Sequence, residues 1–238
     1  MRIKLIVSYD GSKFNGFQRQ KDGNGVQNAL ENALTKIYNH KVIVKGSGRT
    51  DAGVHANNQV IHYNADNIEK DLVKKLNNDL NPNIVVKKAL KVKDDFHSRY
   101  SVKKKEYVYK INIGPYKSSL YNYYYQTKNI IDIPFMKEAA RLFVGSHDFK
   151  NFISSKKENT NATIYSLDIN RVFNKLEIRI IGTNFYKYMV RNIVGALLEV
   201  GMCKVSFLEV REMINNPNKK RNLMTAPPQG LYLNKIWY

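Results

Sequence analysis

Val42-Ile43-Val44-Lys45 is followed by Gly46-Ser47-Gly48-Arg49-Thr50-Asp51-Ala52-Gly53, and then, after five residues, by Gln59-Val60-Ile61-His62-Tyr63. The first segment is β-branched and predicts a short strand. The last is apolar with polar interruptions and predicts another. Between them three glycines fall within eight residues, so residues 46–53 form no regular element. A strand, a glycine-framed loop and a second strand set the architecture at this point.

Working outward, Ile3, Leu5 and Val7 alternate with Lys4, Ile6 and Ser8, which predicts a strand over Arg2–Tyr9. Val26, Leu30, Ala33, Leu34 and Ile37 recur at helical spacing. A helix over Ile68–Leu80 and a strand over Ile84–Val92 follow. Arg99–Ile113 reads as a long basic and aromatic strand region. Pro134 opens a helix reaching Val144. Thr163–Phe173 and Leu176–Ile181 form a strand pair around Asn174-Lys175. Phe185–Val200 is the most apolar helix, Phe207–Ile214 is a short one, and Leu231–Ile236 is a closing strand. Interleaved strands and helices predict an α+β fold in two similar halves, residues 1–113 and 114–238, with the turn Gly114-Pro115 between them.

The chain has 238 residues, with 39 Lys+Arg against 20 Asp+Glu, a net charge of +19. Hydrophobic residues make up 43 %, enough for a core, so wholesale disorder is excluded. No stretch of ~18 apolar residues offers a transmembrane helix, and the N-terminus lacks the apolar region of a signal peptide. A single cysteine, Cys203, excludes an intrachain disulfide and a cysteine-rich zinc site. It fits a reducing, cytoplasmic setting, with Cys203 expected as a small buried hydrophobe near a helix end. The surplus positive charge attracts polyanions. Nucleic acid is the usual partner, and an acidic membrane surface is the alternative.

The 46–53 loop presents a carboxylate, Asp51, beside Arg49 between small residues that leave room for a ligand. Glycines permit positive φ and close backbone approach. A catalytic carboxylate needs such a seat; equally, Asp51 could cap a tight turn. In residues 94–109, Arg99 and lysines 103–105 alternate with Tyr100, Tyr107 and Tyr109, a pattern that suits RNA through stacking and phosphate contacts, or a half-buried strand with one solvated cationic face. Arg191 lies in an otherwise apolar helix, where burial demands an anionic partner such as Asp51, unless the side chain reaches solvent. His40, His55, His62, His97 and His147 match no zinc spacing, and no phosphate-binding glycine fingerprint is present.

Read together and in order, several segments resemble the TruA family, tRNA pseudouridine synthase I. They are Tyr9-Asp10-Gly11-Ser12, Gly16-Phe17-Gln18-Arg19-Gln20, Gly48-Arg49-Thr50-Asp51-Ala52-Gly53-Val54-His55 and Asp95-Phe96-His97-Ser98-Arg99-Tyr100-Ser101. Gly145-Ser146-His147-Asp148-Phe149, Met189-Val190-Arg191-Asn192-Ile193-Val194-Gly195 and Gly230-Leu231-Tyr232-Leu233 continue the match over almost the whole chain. The resemblance implies a cofactor-free, metal-free isomerase that converts uridine to pseudouridine in the tRNA anticodon arm, at tRNA positions 38–40. Under it Asp51 is the catalytic aspartate and Arg49 helps hold the place of the flipped nucleotide. Tyr107 stacks on the target base, Arg191 pairs with the aspartate, and Leu231 lies in the C-terminal pocket motif. It further implies two RNP-like halves forming a continuous central antiparallel sheet with a basic cleft, in a cytoplasmic homodimer. Other readings are a non-catalytic basic RNA-binding protein, a family member acting on a different RNA, and a metal-dependent hydrolase using Asp51 and His55.

Overall fold

The computed structural model describes residues 1–154, 158–218 and 222–238. The chain is a mixed α/β protein in two compact units, one of Met1–Lys103 with Tyr232–Tyr238, the other of Lys104–Leu231.

Unit 1 opens with β1 (Arg2–Tyr9), whose alternate residues Ile3, Leu5 and Val7 are fully buried. There follow α1 (Val26–Tyr38), β2 (Lys45–Gly46), β3 (His55–Asn64), α2 (Leu72–Leu80) and β4 (Ile84–Val92). β1 lies between β4 and β3, antiparallel to both, and β2 pairs with β3. Leu72, Leu76 and Leu80 recur at helical spacing, are buried, and seat α2 on β4. Of the strand expected over Val42–Lys45 only Lys45 is in a strand, and Gly46, expected in the irregular loop, is its second residue. Val42 N–H donates to Thr35 Oγ1 and Val44 N–H to Glu31 Oε1, so side chains of α1 take the donors a ladder would need. The helix expected from Ile68 begins at Leu72, after Asp71 in a left-handed conformation with φ 56°.

Unit 2 holds β5 (Lys104–Asn112), β6 (Tyr125–Gln126), α3 (Ile133–Arg141), β7 (Gly145–Asp148), β8 (Asn161–Val172), β9 (Lys175–Gly182), α4 (Met189–Gly201) and α5 (Phe207–Asn215). Its strands run in the order β5-β9-β8-β7, with antiparallel neighbours, and β6 joins β5 in parallel. Met136, Ile193 and Leu197 are fully buried, with α3 packed on α4. α4 begins later than expected because Tyr188 takes φ 65° and ends the preceding turn. The β8–β9 turn is Phe173-Asn174, one residue earlier than the sequence suggested, with Val172 paired to Lys175. Cys203 is exposed, with φ 57°, and not the buried hydrophobe expected.

The last strand, β10 (Leu231–Trp237), pairs in parallel with β3, Tyr232 opposite His55 and Leu233 opposite Ala56. With β5–β6 this departs from the wholly antiparallel sheet expected. Parallel pairing is open to β10 because the whole of unit 2 intervenes in sequence, far more than the crossover such a pair requires.

Candidate active site

In unit 1 the loop between β2 and β3 is fixed from beneath. Ser47 N–H donates to Val60 O at 2.9 Å, and Ser47 Oγ and Gln59 Oε1 lie 2.5 Å apart. The amide of Gln59 also donates to Gly48 O at 2.9 Å. Thr50 is held twice. Its hydroxyl meets Tyr9 Oη at 2.8 Å, and its carbonyl accepts from Phe17 N–H at 3.1 Å. Burial pushes the Tyr9 hydroxyl up to about 12, so it stays neutral and can serve as donor or acceptor.

Asp51 follows Thr50 and starts a tight turn. Its carbonyl accepts from Val54 N–H at 3.1 Å, and Gly53 takes φ 78°, a conformation that favours glycine. Asp51 is half-buried, Arg49 exposed and Thr50 buried. The neighbouring segment presses close. A Cβ on Gly16 would stand 2.8 Å from Thr50 O, and one on Gly11 would collide with the carbonyl of Val54.

His55, just beyond the turn, is 2 % exposed. Its Nδ1 lies 3.0 Å from the donating Gly11 N–H and 3.4 Å from Asp10 Oδ1, and the ring stacks on Tyr232 at 4.6 Å and 15°. Asp10 Oδ1 accepts from Ser12 N–H at 3.0 Å and Ser12 Oγ–H at 2.7 Å, so Asp10 caps its own turn.

In unit 2, Tyr107 lies on β5, 7 % exposed, with Phe185 edge-on at 5.1 Å. Tyr109, two residues on and therefore on the same strand face, is fully buried and donates its hydroxyl to Pro227 O at 2.7 Å. Burial raises the Tyr109 hydroxyl well above its ordinary value, with the Arg191 charge pulling the other way. Arg191, in the first turn of α4, donates Nε–H to Ala226 O at 2.7 Å, while Ala226 N–H donates to Arg191 O at 3.1 Å. Its guanidinium carbon stands 4.8 Å from the Tyr188 ring centroid.

Gly195 lets Met224 cross α4 without room for a Cβ, and at Gly230 a Cβ would stand 2.8 Å from the Tyr109 ring. Residues 224–230 are thus threaded past Arg191 and Tyr109 to deliver buried Leu231.

The structure therefore brings Arg49 and Asp51 together in one loop of unit 1. In unit 2 it brings Arg191 and the approach to Leu231 together around Tyr109, with Tyr107 next to it on the same strand. Tyr9 and Gln59 were not singled out from the sequence as site residues; His55 entered only through the metal-dependent hydrolase reading and Tyr109 only as part of the basic, aromatic segment. Tyr109 carried a usable signal, since it stands two residues from Tyr107 and so shares its face. No group of three or more His, Cys, Asp or Glu that could hold a metal ion occurs among the described residues, nor any helix long and apolar enough to cross a membrane.

Comparison with known proteins adds a separate line. A family model described as tRNA pseudouridine synthase matches residues 5–101 and 139–238. The chain is 40 % identical over 242 residues to tRNA pseudouridine synthase A of Anoxybacillus flavithermus, covering 100 % of this chain and 98 % of that protein. It is also 40 % identical to tRNA pseudouridine synthase A of Malacoplasma penetrans, covering 100 % of both. Among solved structures, a Cbf5-Nop10-Gar1 complex aligns with TM-score 0.35 and 14 % identity, over 82 % of this chain and 45 % of that one, too distant to bear on the fold.

Proposed function

Since the chain belongs to the tRNA pseudouridine synthase family, and is an isomerase that makes pseudouridine in tRNA, we propose that Asp51 is its catalytic carboxylate. The observation that carries this reading is the Asp51 seat. Thr50 before it is bonded through both hydroxyl and carbonyl, the turn after it is closed by Val54, and Asp51 itself is only half-buried. A rigid backbone with a reachable side chain is what positioned catalysis requires.

The reaction breaks the C–N glycosidic bond of uridine, turns the uracil and forms a C–C bond to the same sugar. A base in a helical stem must first be flipped out, at a cost of a few kcal/mol. The +19 charge offsets that cost through phosphate contacts. An ionised carboxylate then acts on the sugar or the base. Arg49, exposed two residues before Asp51, holds the place the nucleotide vacates. Tyr107 stacks on the detached base and keeps it from escaping, Arg191 supplies the opposite charge to the carboxylate, and Leu231 lines the pocket. In this division of labour, residues 1–113 provide Asp51, Arg49 and Tyr107, and residues 114–238 provide Arg191 and Leu231.

The finer target is the anticodon arm, at tRNA positions 38–40. The working form is a cytoplasmic homodimer of RNP-like halves with a basic cleft. These details rest on the sequence resemblance, and the cytoplasmic setting also on the single cysteine.

The test is single-turnover pseudouridine formation on unmodified tRNA, mapped by position. Asp51→Asn abolishes product while tRNA still binds. An Asn variant turning over at the wild-type rate removes Asp51 from the chemistry, and product at sites other than 38–40 corrects the target.

A further inference from the structure

Unit 2 contains an apolar recess that none of the proposed catalytic residues lines. It lies between the β8–β9 hairpin tip and the loop that follows β5. Pro115, Leu120, Val172 and Phe173 form its apolar wall, and Lys117 and Lys175 stand among the lining residues, in a cavity of about 260 Å³. We propose that this recess is a second RNA contact, taking one unpaired nucleobase of the tRNA while the lysines hold the phosphates on either side of it. The proposal rests on the family's tRNA substrate and not on the role of Asp51.

Phe173 is the first indication. It occupies a two-residue hairpin turn with φ 52°, where glycine, asparagine or aspartate is the favoured choice. A bulky aromatic at positive φ is an outlier, and such outliers cluster at functional positions. The ring gains no burial in return, since Phe173 is 89 % exposed and Val172 beside it 62 %. The turn is held through its carbonyls, Asn174 O accepting from Ile113 N–H and Phe173 O from Arg171 Nε–H, both at 2.9 Å, and neither bond uses the ring.

The surroundings identify the occupant. Lys110 and Lys175 both place their ammonium groups over the Tyr124 ring, at 5.7 and 5.2 Å. None of the residues lining the recess is acidic. The nearest carboxylate by strand register is Glu177, opposite Lys110 on the β5–β9 ladder. Tyr116 and Tyr121, 58 % and 63 % exposed, add aromatic surface along the same loop. Flat apolar surface ringed by lysines is how proteins hold single-stranded nucleic acid. The volume is below the ~300–1,000 Å³ of sites for drug-sized ligands, which suits one planar base. A second copy meeting this face with the same patch would set Lys117 and Lys175 against their counterparts; a polyanion is the complementary partner.

The experiment uses the full chain and an unmodified tRNA transcript. Phe173→Gly removes the ring and keeps a residue at ease with positive φ, so the hairpin is retained. It weakens tRNA binding about 5- to 10-fold at fixed salt, with the rate at saturating tRNA unchanged. Changing Lys117 and Lys175 together to Gln lowers the slope of log affinity against log salt by about 1–2. A Phe173→Gly protein of wild-type melting temperature that binds tRNA with wild-type affinity overturns the proposal. So does a loss of self-association in sedimentation, which would make this face a contact between copies. Because binding is read apart from turnover, an active Asp51→Asn enzyme would remove the carboxylate reading and leave this one standing.

Discussion

The Asp51 loop and the Phe173 hairpin tip are both turns between strands, and they are held in opposite ways. Residues 47–54 are bonded from three directions, by β1 through Tyr9, by β3 through Gln59 and Val60, and by the Gly11–Phe17 segment, which lies against their backbone. Phe173-Asn174 is anchored by its own ladder, by Ile113 and by Arg171 Nε–H to Phe173 O at 2.9 Å, and its ring stands in solvent. The chemistry proposed for Asp51 breaks a glycosidic bond and calls for close placement, which an over-determined loop supplies. A surface that only has to accept a flat base can leave its ring unpacked. The contrast teaches that the number of backbone restraints on a turn is a better guide to its task than its glycine count.

The largest effect that sharpens the contrast is on Asp51 itself. Asp51→Asn should lower single-turnover pseudouridine formation by at least ~10²–10⁴-fold, while the folded protein still binds tRNA. Next comes the clamp. Gly16→Ala forces a Cβ to 2.8 Å from Thr50 O at a residue with φ 93°. It should cost about 2–4 kcal/mol, read as a lower melting temperature and a lower rate together. An undisturbed Gly16→Ala enzyme would show that the Gly11–Phe17 segment does not clamp the loop.

The strands Arg2–Tyr9 and Ile84–Val92 were readable to the residue, the first from its alternation and the second from its β-branched start after Asn81-Pro82-Asn83, signals that act locally. The irregular loop that carries Asp51 and Arg49 was readable for the same reason, since its glycines fall within eight consecutive positions. Val42–Lys45 was misread because its backbone donors are taken by Thr35 and Glu31 on a preceding helix, which no propensity encodes. The bracing of Thr50 by Tyr9 and of His55 by Tyr232 joins residues distant in sequence. Such pairs are set by tertiary pairing, and nothing in either segment announces the other. Tyr188 ended its turn by adopting positive φ, a choice made by packing and not by residue type.

A smaller, pH-dependent effect probes the far end of β3. His62 accepts the Ser98 N–H at Nδ1, and its pKa is pushed down to about 4, first by burial and then by the positive His97, Arg2 and Lys45. The unfolded chain therefore takes up this proton first, near the ordinary ~6.5. Stability from this group is complete above that pH and is lost as pH falls toward about 4. Thermal melts across that interval should show the decline, and His62→Asn should flatten it.

Smaller again, Tyr9→Phe removes one bond to Thr50 and should cost about 0.5–1.5 kcal/mol, with the rate falling more than tRNA affinity. A rate unchanged in Tyr9→Phe would mean that Phe17 and Val54 suffice to hold the loop.

The parallel partner of β3 has a consequence for how the protein is made. Residues 232–238 complete unit 1, yet they leave the ribosome only after all of Lys104–Leu231. Unit 2 is continuous in sequence and can fold as it emerges, whereas the unit that begins first must wait. His55 cannot find Tyr232 until then, so this brace beside the Asp51 loop forms only after Lys104–Leu231 has been made. Nascent chains that carry only the first unit's opening hundred residues would be basic and able to attract tRNA, but not yet equipped to act on it.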